Sequence, residues 1–473
     1  MSACIPETLL SLFSRFVEEQ IGLHFPKERW ADLERGIRAV AREFGSDNAE
    51  ECILKLMASP SLTKEQMETL AASLTIGETY FFRDKRVFEV LETDILPGLI
   101  QSRRGGERRL RIWSAGCCTG EEPYSVAMVL ARLLPDIADW RITIVATDIN
   151  ARFLRKAAQG IYGEWSFRET PAPTKEKFFR KRDGGRFEIL PGIKDLVSFA
   201  YLNLAEDVYP ALANNTNAMD LIFCRNVLMY FSPDKARTAA RKLARSLVEG
   251  GWFISSPSEA SADLLAPLLP GDFPGAILYR KPKTGEATPP RARLALADEA
   301  APLSPCLEAA PAKDGFLSPQ TTHARPVPAE GAPETSSAAS KEALSSELSL
   351  RARAAANRGD LAAALLLCDK AISADRLLPA SHYLRGVILQ EQGALEEATA
   401  SLKRALYLDQ SFVVAHFALG NILRRRSGKE ARRHFESALV LLRRLAPDAA
   451  LPEAEGITAG RLLEIILATK EKK

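Results

Sequence analysis

The stretch Arg111-Ile-Trp-Ser-Ala-Gly-Cys-Cys-Thr-Gly-Glu-Glu-Pro123 decides the fold. Arg111 to Ser114 reads as a short β-strand, and Gly116 and Gly120 frame the loop behind it. Glycine in such a loop lets backbone approach a ligand closely. Pro123 to Leu134 reads as a helix, with proline early, where its missing N–H does no harm. A second strand, Arg141-Ile-Thr-Ile-Val-Ala-Thr147, leads to Asp148, 28 residues beyond Gly120. A carboxylate at that place accepts hydrogen bonds from both hydroxyls of a ribose. Two features disfavour a nicotinamide dinucleotide. The loop lacks G-x-G-x-x-G, and Glu121 and Glu122 open the helix. Two carboxylates there repel a pyrophosphate and suit a cation such as a sulfonium.

Outward from this unit the alternation continues. Asp220-Leu-Ile-Phe-Cys224 and Gly251-Trp-Phe-Ile-Ser255 read as strands, and Ala151–Ala158 and Asp234–Val248 as helices. The expectation is an α/β, Rossmann-like domain over residues 101–283 with a mainly parallel sheet. Around 178–202 the pattern breaks. Asp183-Gly-Gly185 is a turn signal, so a small antiparallel β insert is expected there. Residues 1–100 show only helical spacing, as in Trp30, Leu33, Ile37, Val40 and Phe44, and Thr63-Lys-Glu-Gln66 spells a capping box. They are expected to form an N-terminal helical subdomain.

Residues 284–345 are rich in Pro, Ala, Ser and Glu, with Phe316 the one aromatic, and read as a flexible linker. Residues 346–470 repeat. Gly359 recurs as Gly393, Ala364 as Ala398, Ala371 as Ala405 and Gly386 as Gly420, each 34 residues later. Ala431, Phe435 and Ala438 continue the pattern in a third unit. That period marks tetratricopeptide-like (TPR-like) helical hairpins, whose groove takes a peptide or protein partner.

A net charge of +3 over 473 residues gives no overall bias toward nucleic acid or membrane. No stretch reaches the length of apolar residues a membrane span needs, and no secretory signal is apparent. The seven cysteines have no CxxC or Cys/His spacing, which disfavours disulfides and zinc. The expected setting is the cytoplasm, without metal.

Five motifs in order resemble the CheR family of chemoreceptor glutamate methyltransferases. They are Leu74-Thr-Ile-Gly-Glu-Thr-Tyr-Phe-Phe-Arg83, Trp113–Ser125, Ala146-Thr-Asp-Ile149, Asn203-Leu204 and Phe223-Cys-Arg-Asn-Val-Leu-Met-Tyr-Phe231. The resemblance spans residues 5–282. It implies S-adenosylmethionine as methyl donor, S-adenosylhomocysteine as product, and the cytoplasmic domains of methyl-accepting chemoreceptors as partners, with recruitment to receptor arrays. It further implies that Thr79, Arg83, Glu122, Asp148, Asn203, Leu204, Cys224, Arg225 and Asn226 line the cofactor pocket. Arg83 and Tyr230 would then lie nearest the transferring methyl. Gly77 departs from the family, which usually has asparagine there, so a contact to the cofactor is expected to be missing.

Arg35, Arg38 and Arg42 recur on one helix face and form a candidate docking stripe for an acidic receptor helix. The hairpin Arg180–Arg186 is short, which speaks against peptide tethering by the β insert. Cys117 and Cys118 have no partner base and read as packing residues. The competing reading is a non-catalytic scaffold that senses cofactor or holds receptors.

Overall fold

The computed structural model describes residues 5–59, 61–261, 263–266, 268–286, 335–424 and 426–470. The chain begins with helices α1 (Glu7–Ile21), α2 (Trp30–Val40), α3 (Ala49–Met57) and α4 (Lys64–Leu74). The apolar stripe of α2 is buried at Leu33, Ile37 and Val40. Gly36 lets α4 approach: a Cβ there would meet the Leu74 side chain at 2.5 Å. The capping box forms, with Thr63 Oγ1 accepting from Gln66 N and Gln66 Oε1 from Thr63 N. Helices α5 (Lys85–Val90) and α6 (Leu96–Arg104) lead into the sheet.

That sheet has seven strands. In chain order they are β1 (Arg109–Ala115), β2 (Arg141–Asp148), β6 (Val197–Tyr201), β7 (Met219–Phe223), β8 (Leu247–Ile254), β9 (Leu269–Pro270) and β10 (Leu278–Arg280). Their spatial order is β6-β2-β1-β7-β8-β10-β9, and only the pairings of β10 are antiparallel. Every residue of β1 is buried, as a central parallel strand requires. Helices α7 (Glu121–Leu133), α8 (Ala151–Gln159) and α11 (Pro233–Ser246) are the crossovers. Ala115 is level with Thr147, and Ser114 with Phe223, so β1, β2 and β7 end together. A crevice at such strand ends is where open α/β sheets bind ligands.

The antiparallel insert differs from its expected span of 178–202. It is three-stranded, with β3 (Ile161–Tyr162), β4 (Phe179–Arg182) and β5 (Arg186–Ile189) in the order β3-β5-β4. Helices α9 (Ala172–Phe178) and α10 (Pro191–Lys194) flank the β4–β5 hairpin. The segment Val197–Tyr201 instead joins the main sheet, pairing parallel with β2 from Ile144↔Val197 to Asp148↔Tyr201. Its place is set by that ladder with a distant strand, which its own alternation does not encode.

The expected linker falls mostly on 287–334, outside the described residues, but its last part is helical. Helix α12 spans Thr335–Asn357. Ala, Ser, Glu and Leu dominate there, and Ala, Glu and Leu are strong helix formers. Pairs follow: α12 with α13 (Leu361–Ala374), α14 (Pro379–Gln392) with α15 (Leu395–Leu408), and α16 (Val413–Leu423) with α17 (Gly428–Leu442). A last helix, α18 (Ala459–Lys470), packs on α17. The repeated small residues sit where helices touch. A Cβ on Gly386 would lie 2.7 Å from Leu402, and one on Gly420 2.6 Å from Phe435. No helix among the described residues is long and apolar enough to cross a membrane.

The helical array is bolted to the N-terminal edge of the sheet. The buried Glu391 carboxylate of α14 lies 3.4 Å from Arg109 and 3.5 Å from Arg111. Arg141 donates to the Glu391 carbonyl at 3.2 Å. Burial pulls the Arg109 pKa down, and Glu391 opposes this. Removing one partner of a buried pair leaves an uncompensated charge and typically costs about 3–5 kcal/mol. Glu391→Ala is therefore expected to lower stability by about 3 kcal/mol, read from the urea midpoint of the full chain. An unchanged midpoint would mean that the array is not held through this pair.

Candidate active site

The crevice opens into a cleft of about 1050 Å³, its mouth included. One wall is the glycine loop. Gly116 has φ 84°, and a Cβ there would sit 2.3 Å from Val227, so no other residue fits. Asp148 closes β2 and holds the loop: its carboxylate accepts from Cys118 N and from Asn150 N, both at 2.8 Å. Burial raises its pKa to about 6, against the pull of those amides. Glu122 faces the cleft from the first turn of α7. Ser114 Oγ donates to it at 2.7 Å, and Arg225 lies 3.5 Å away. Burial raises the Glu122 pKa, and Arg225 offsets part of the rise.

The opposite wall comes from the N-terminal helices and the loop behind them. Leu23, His24, Phe25 and Arg29 line it together with Thr75, Ile76, Glu78, Thr79 and Arg83. Arg225, at the end of β7, fastens this loop by donating to the Arg83 carbonyl at 2.9 Å and pairing with Asp84 at 3.2 Å. Arg83 itself donates to the Glu78 carbonyl. Tyr230 lies under the Arg29 guanidinium, 5.1 Å from the ring centroid, and its carbonyl accepts from His24 N at 2.8 Å. Burial raises the Tyr230 pKa, while Arg29 and Arg83 lower it.

Four non-glycine residues around the cleft hold left-handed backbone: Phe82 (φ 58°), Asp84 (70°), Cys118 (50°) and Asn226 (57°). Each costs about 1–2 kcal/mol, so their contacts must over-determine them. Asn226 shows how. The buried Glu259 carboxylate accepts from Asn226 N and Val227 N, both at 2.6 Å, and from Met229 N at 3.2 Å. Ser256 Oγ adds a fourth bond. This one side chain shapes the loop that carries Arg225, Asn226 and Tyr230.

Of the residues expected in the cleft, Thr79, Arg83, Gly116, Glu122, Asp148, Asn203, Leu204, Arg225, Asn226 and Tyr230 do line it. Gly77 and Cys224 do not. Cys224 is fully buried behind the wall. Phe153 does line the cleft, and a Cβ on the exposed Gly77 would meet the Phe153 ring at 2.5 Å. Burial and Asp148 push the Cys118 thiol up to about 12, which disfavours the thiolate a nucleophile needs. Glu121 stays out of the cleft, accepting from Thr119 Oγ1 and Ser166 Oγ. Arg35, Arg38 and Arg42 lie away from the cleft. Arg35 pairs with Asp32 and Arg38 with Glu34 along α2, so the stripe is mixed in charge.

Residues 77–262 match the family model described as CheR methyltransferase, SAM binding domain. The chain is 33% identical to chemotaxis protein methyltransferase 2 of Vibrio cholerae over 47% of this chain and 76% of that protein. It is 31% identical to the chemotaxis protein methyltransferase of Borreliella burgdorferi over 53% and 87%. The chain belongs to the CheR methyltransferase family. A third relative, the probable biofilm formation methyltransferase WspC of Pseudomonas aeruginosa, is 28% identical over 86% of this chain and 93% of its own length. The protein is thus an S-adenosylmethionine-dependent methyltransferase of the chemotaxis kind.

The CheR cleft fits that cofactor by its own chemistry. Gly116 leaves a bare backbone cradle, Glu122 and Asp148 put negative charge inside, and Leu23, Ile149, Leu202 and Phe231 add apolar surface. Asp148 retains lone pairs for ribose hydroxyls beyond its two amide bonds. Sequence reasoning missed Arg29, His24, Phe153 and Glu259. The Pro-Ser-Glu run at 257–259 gave no local sign of a loop-organising carboxylate.

Two outcomes are expected. Gly77→Asn should force the Phe153 ring into the cleft and weaken cofactor binding about tenfold, within the usual cost of overpacking. Adding Phe153→Ala should restore binding, as read by calorimetry; equal affinity for wild type and Gly77→Asn would contradict the packing. For Asp148 the folded pKa lies above the ordinary 3.8. Protonation as pH falls through about 6 relieves a buried charge, so the cofactor-free protein gains stability from this group. The same protonation removes hydrogen-bond acceptors, so cofactor affinity should fall between pH 7 and 5. Asp148→Asn should flatten that dependence.

Proposed function

We propose that the chain methylates glutamate side chains on the cytoplasmic helices of a methyl-accepting chemoreceptor, forming glutamate methyl esters. The observation that carries this reading is the polarity of the cleft. Its interior carries the carboxylates Glu122 and Asp148 against one buried cation, Arg225, while Arg29, Arg83 and Tyr230 line the partly exposed approach. A sulfonium is favoured inside and a carboxylate at the rim. S-adenosylmethionine supplies an electrophilic methyl group. A glutamate oxygen bonds to the methyl carbon as the carbon–sulfur bond breaks, and the electron pair stays on sulfur. With a reference pKa of ~4.3 the acceptor is ionised at neutral pH, so no base has to remove a proton. The task left to Arg83 and Tyr230 is to align the carboxylate and exclude water, worth several kcal/mol when geometry is good.

In this reading Arg42 and the outer face of α2 meet the receptor, with Asp32 and Glu34 tempering the charge of Arg35 and Arg38. In this reading the helical subdomain ends near residue 100 and the methyltransferase domain near 283, and the array extends back to α12. The chain would work in the cytoplasm at membrane receptor arrays. Because likeness to the biofilm formation methyltransferase continues through most of the chain, we propose biofilm formation rather than swimming as the output.

The test is transfer of labelled methyl from S-adenosylmethionine to a receptor cytoplasmic fragment, with the product identified as base-labile ester on glutamate. Arg83→Ala is expected to lower kcat/KM at least tenfold, about 1.4 kcal/mol of transition-state binding. Tyr230→Phe should lower kcat with little change in cofactor affinity. Cofactor binding without any transfer would leave the scaffold reading standing, and full transfer by Arg83→Ala would move the reacting centre elsewhere.

A further inference from the structure

The first helices of the three hairpins, α12, α14 and α16, form the face on which such an array takes a partner. Here that face is already occupied. Beyond α17 the chain doubles back: Ala459 N bonds to the Ala449 carbonyl and Gly460 N to that of Pro447. The loop so closed, Pro447-Asp-Ala-Ala-Leu-Pro-Glu-Ala-Glu-Gly-Ile457, lies against the array. Leu451, Ala454 and Ile457 are buried in the same apolar cluster as Tyr383 of α14. Arg353 of α12 pairs with Glu453 and, at 3.2 Å, with Glu455. Glu455 also accepts from Leu212 N of the catalytic domain at 2.6 Å, and Leu212 is buried in the array's cluster.

The occupant is held under tension. Glu453 (φ 62°) and Glu455 (φ 51°) both hold left-handed backbone. Such conformations persist only where surroundings enforce them. The fit is also imperfect, since the buried Arg353 Nε lacks a hydrogen-bond partner.

The loop runs directly into α18, and α18 grips the cofactor wall. Arg461 stacks on the Tyr201 ring at 4.2 Å and donates to the Tyr201 carbonyl. Glu464 pairs with Lys64 at 2.6 Å. The next residues, Leu202, Asn203 and Leu204, line the cleft. The wall is thus clamped at Tyr201 by α18 and at Leu212 by Glu455.

We propose that residues 447–457 are a resident plug of the array's first-helix face, that an acidic segment of a partner protein takes their place on Arg353 and Tyr383, and that this exchange loosens the cofactor wall. The occupant's own chemistry sets the partner's: an apolar residue followed by two spaced carboxylates, as in Leu451-Pro-Glu-Ala-Glu455. A tethered plug has a high effective concentration, so a free segment of equal fit competes poorly until the plug is weakened. In this proposal the clamped wall is the shape that binds cofactor, so partner and cofactor oppose each other, reciprocally. None of this depends on which carboxylate is methylated.

The test uses the full-length chain and a labelled synthetic peptide of residues 447–458. Glu453→Lys weakens the plug while sparing the Glu455–Leu212 bond. It is expected to bind the peptide at least tenfold more tightly than wild type and to bind S-adenosylmethionine at least threefold more weakly. Adding Arg353→Ala should abolish peptide binding, and a peptide with both glutamates changed to lysine should not bind. Glu453→Gln, of equal size, serves if lysine prevents folding. On wild type, a large excess of peptide should speed amide exchange across residues 447–458. Equal peptide binding by wild type and both plug variants would overturn the proposal. So would binding that survives Arg353→Ala, unchanged exchange in wild type, or unchanged cofactor affinity in the variants.

Discussion

One buried guanidinium joins the parts of the CheR cleft. Arg225 is almost inaccessible, with 5% of its side chain exposed, and must find partners for its charge inside the protein. It finds three groups on two segments: the Arg83 carbonyl and Asp84 on the N-terminal loop, and Glu122 on the helix behind the glycine loop. The helical subdomain and the α/β sheet are therefore closed over the cofactor space by a charge that neither could bury alone. The left-handed backbone of Phe82 and Asp84 is tolerable for the same reason, since that loop is pinned from behind.

Electrostatic order follows from that closure. Burial raises the pKa of both carboxylates of the cleft, so holding their charge has a cost. Arg225 offsets this for Glu122, and two backbone amides do so for Asp148. A cationic ligand completes the compensation, so the interior is built for positive charge before any arrives.

Local signals were legible in the sequence, and partnerships were not. Gly116, Asp148, the capping box at Thr63 and the 34-residue period depend on residues close in the chain, and each took its expected place. The strand at Val197–Tyr201 was misread as part of the insert because only its ladder with β2 defines it. Glu259 was invisible because its work is done on amides about 30 residues away. The array's repeats were readable, but that its own C-terminal loop fills its face rests on a pairing of Arg353 with residues 100 positions distant.

The contact between Gly77 and Phe153 ties two positions together. The Phe153 ring keeps its present place only while residue 77 lacks a Cβ; with one there, the ring has to shift. The residue tolerated at either position therefore depends on the residue at the other, and the two sites are coupled through this one contact.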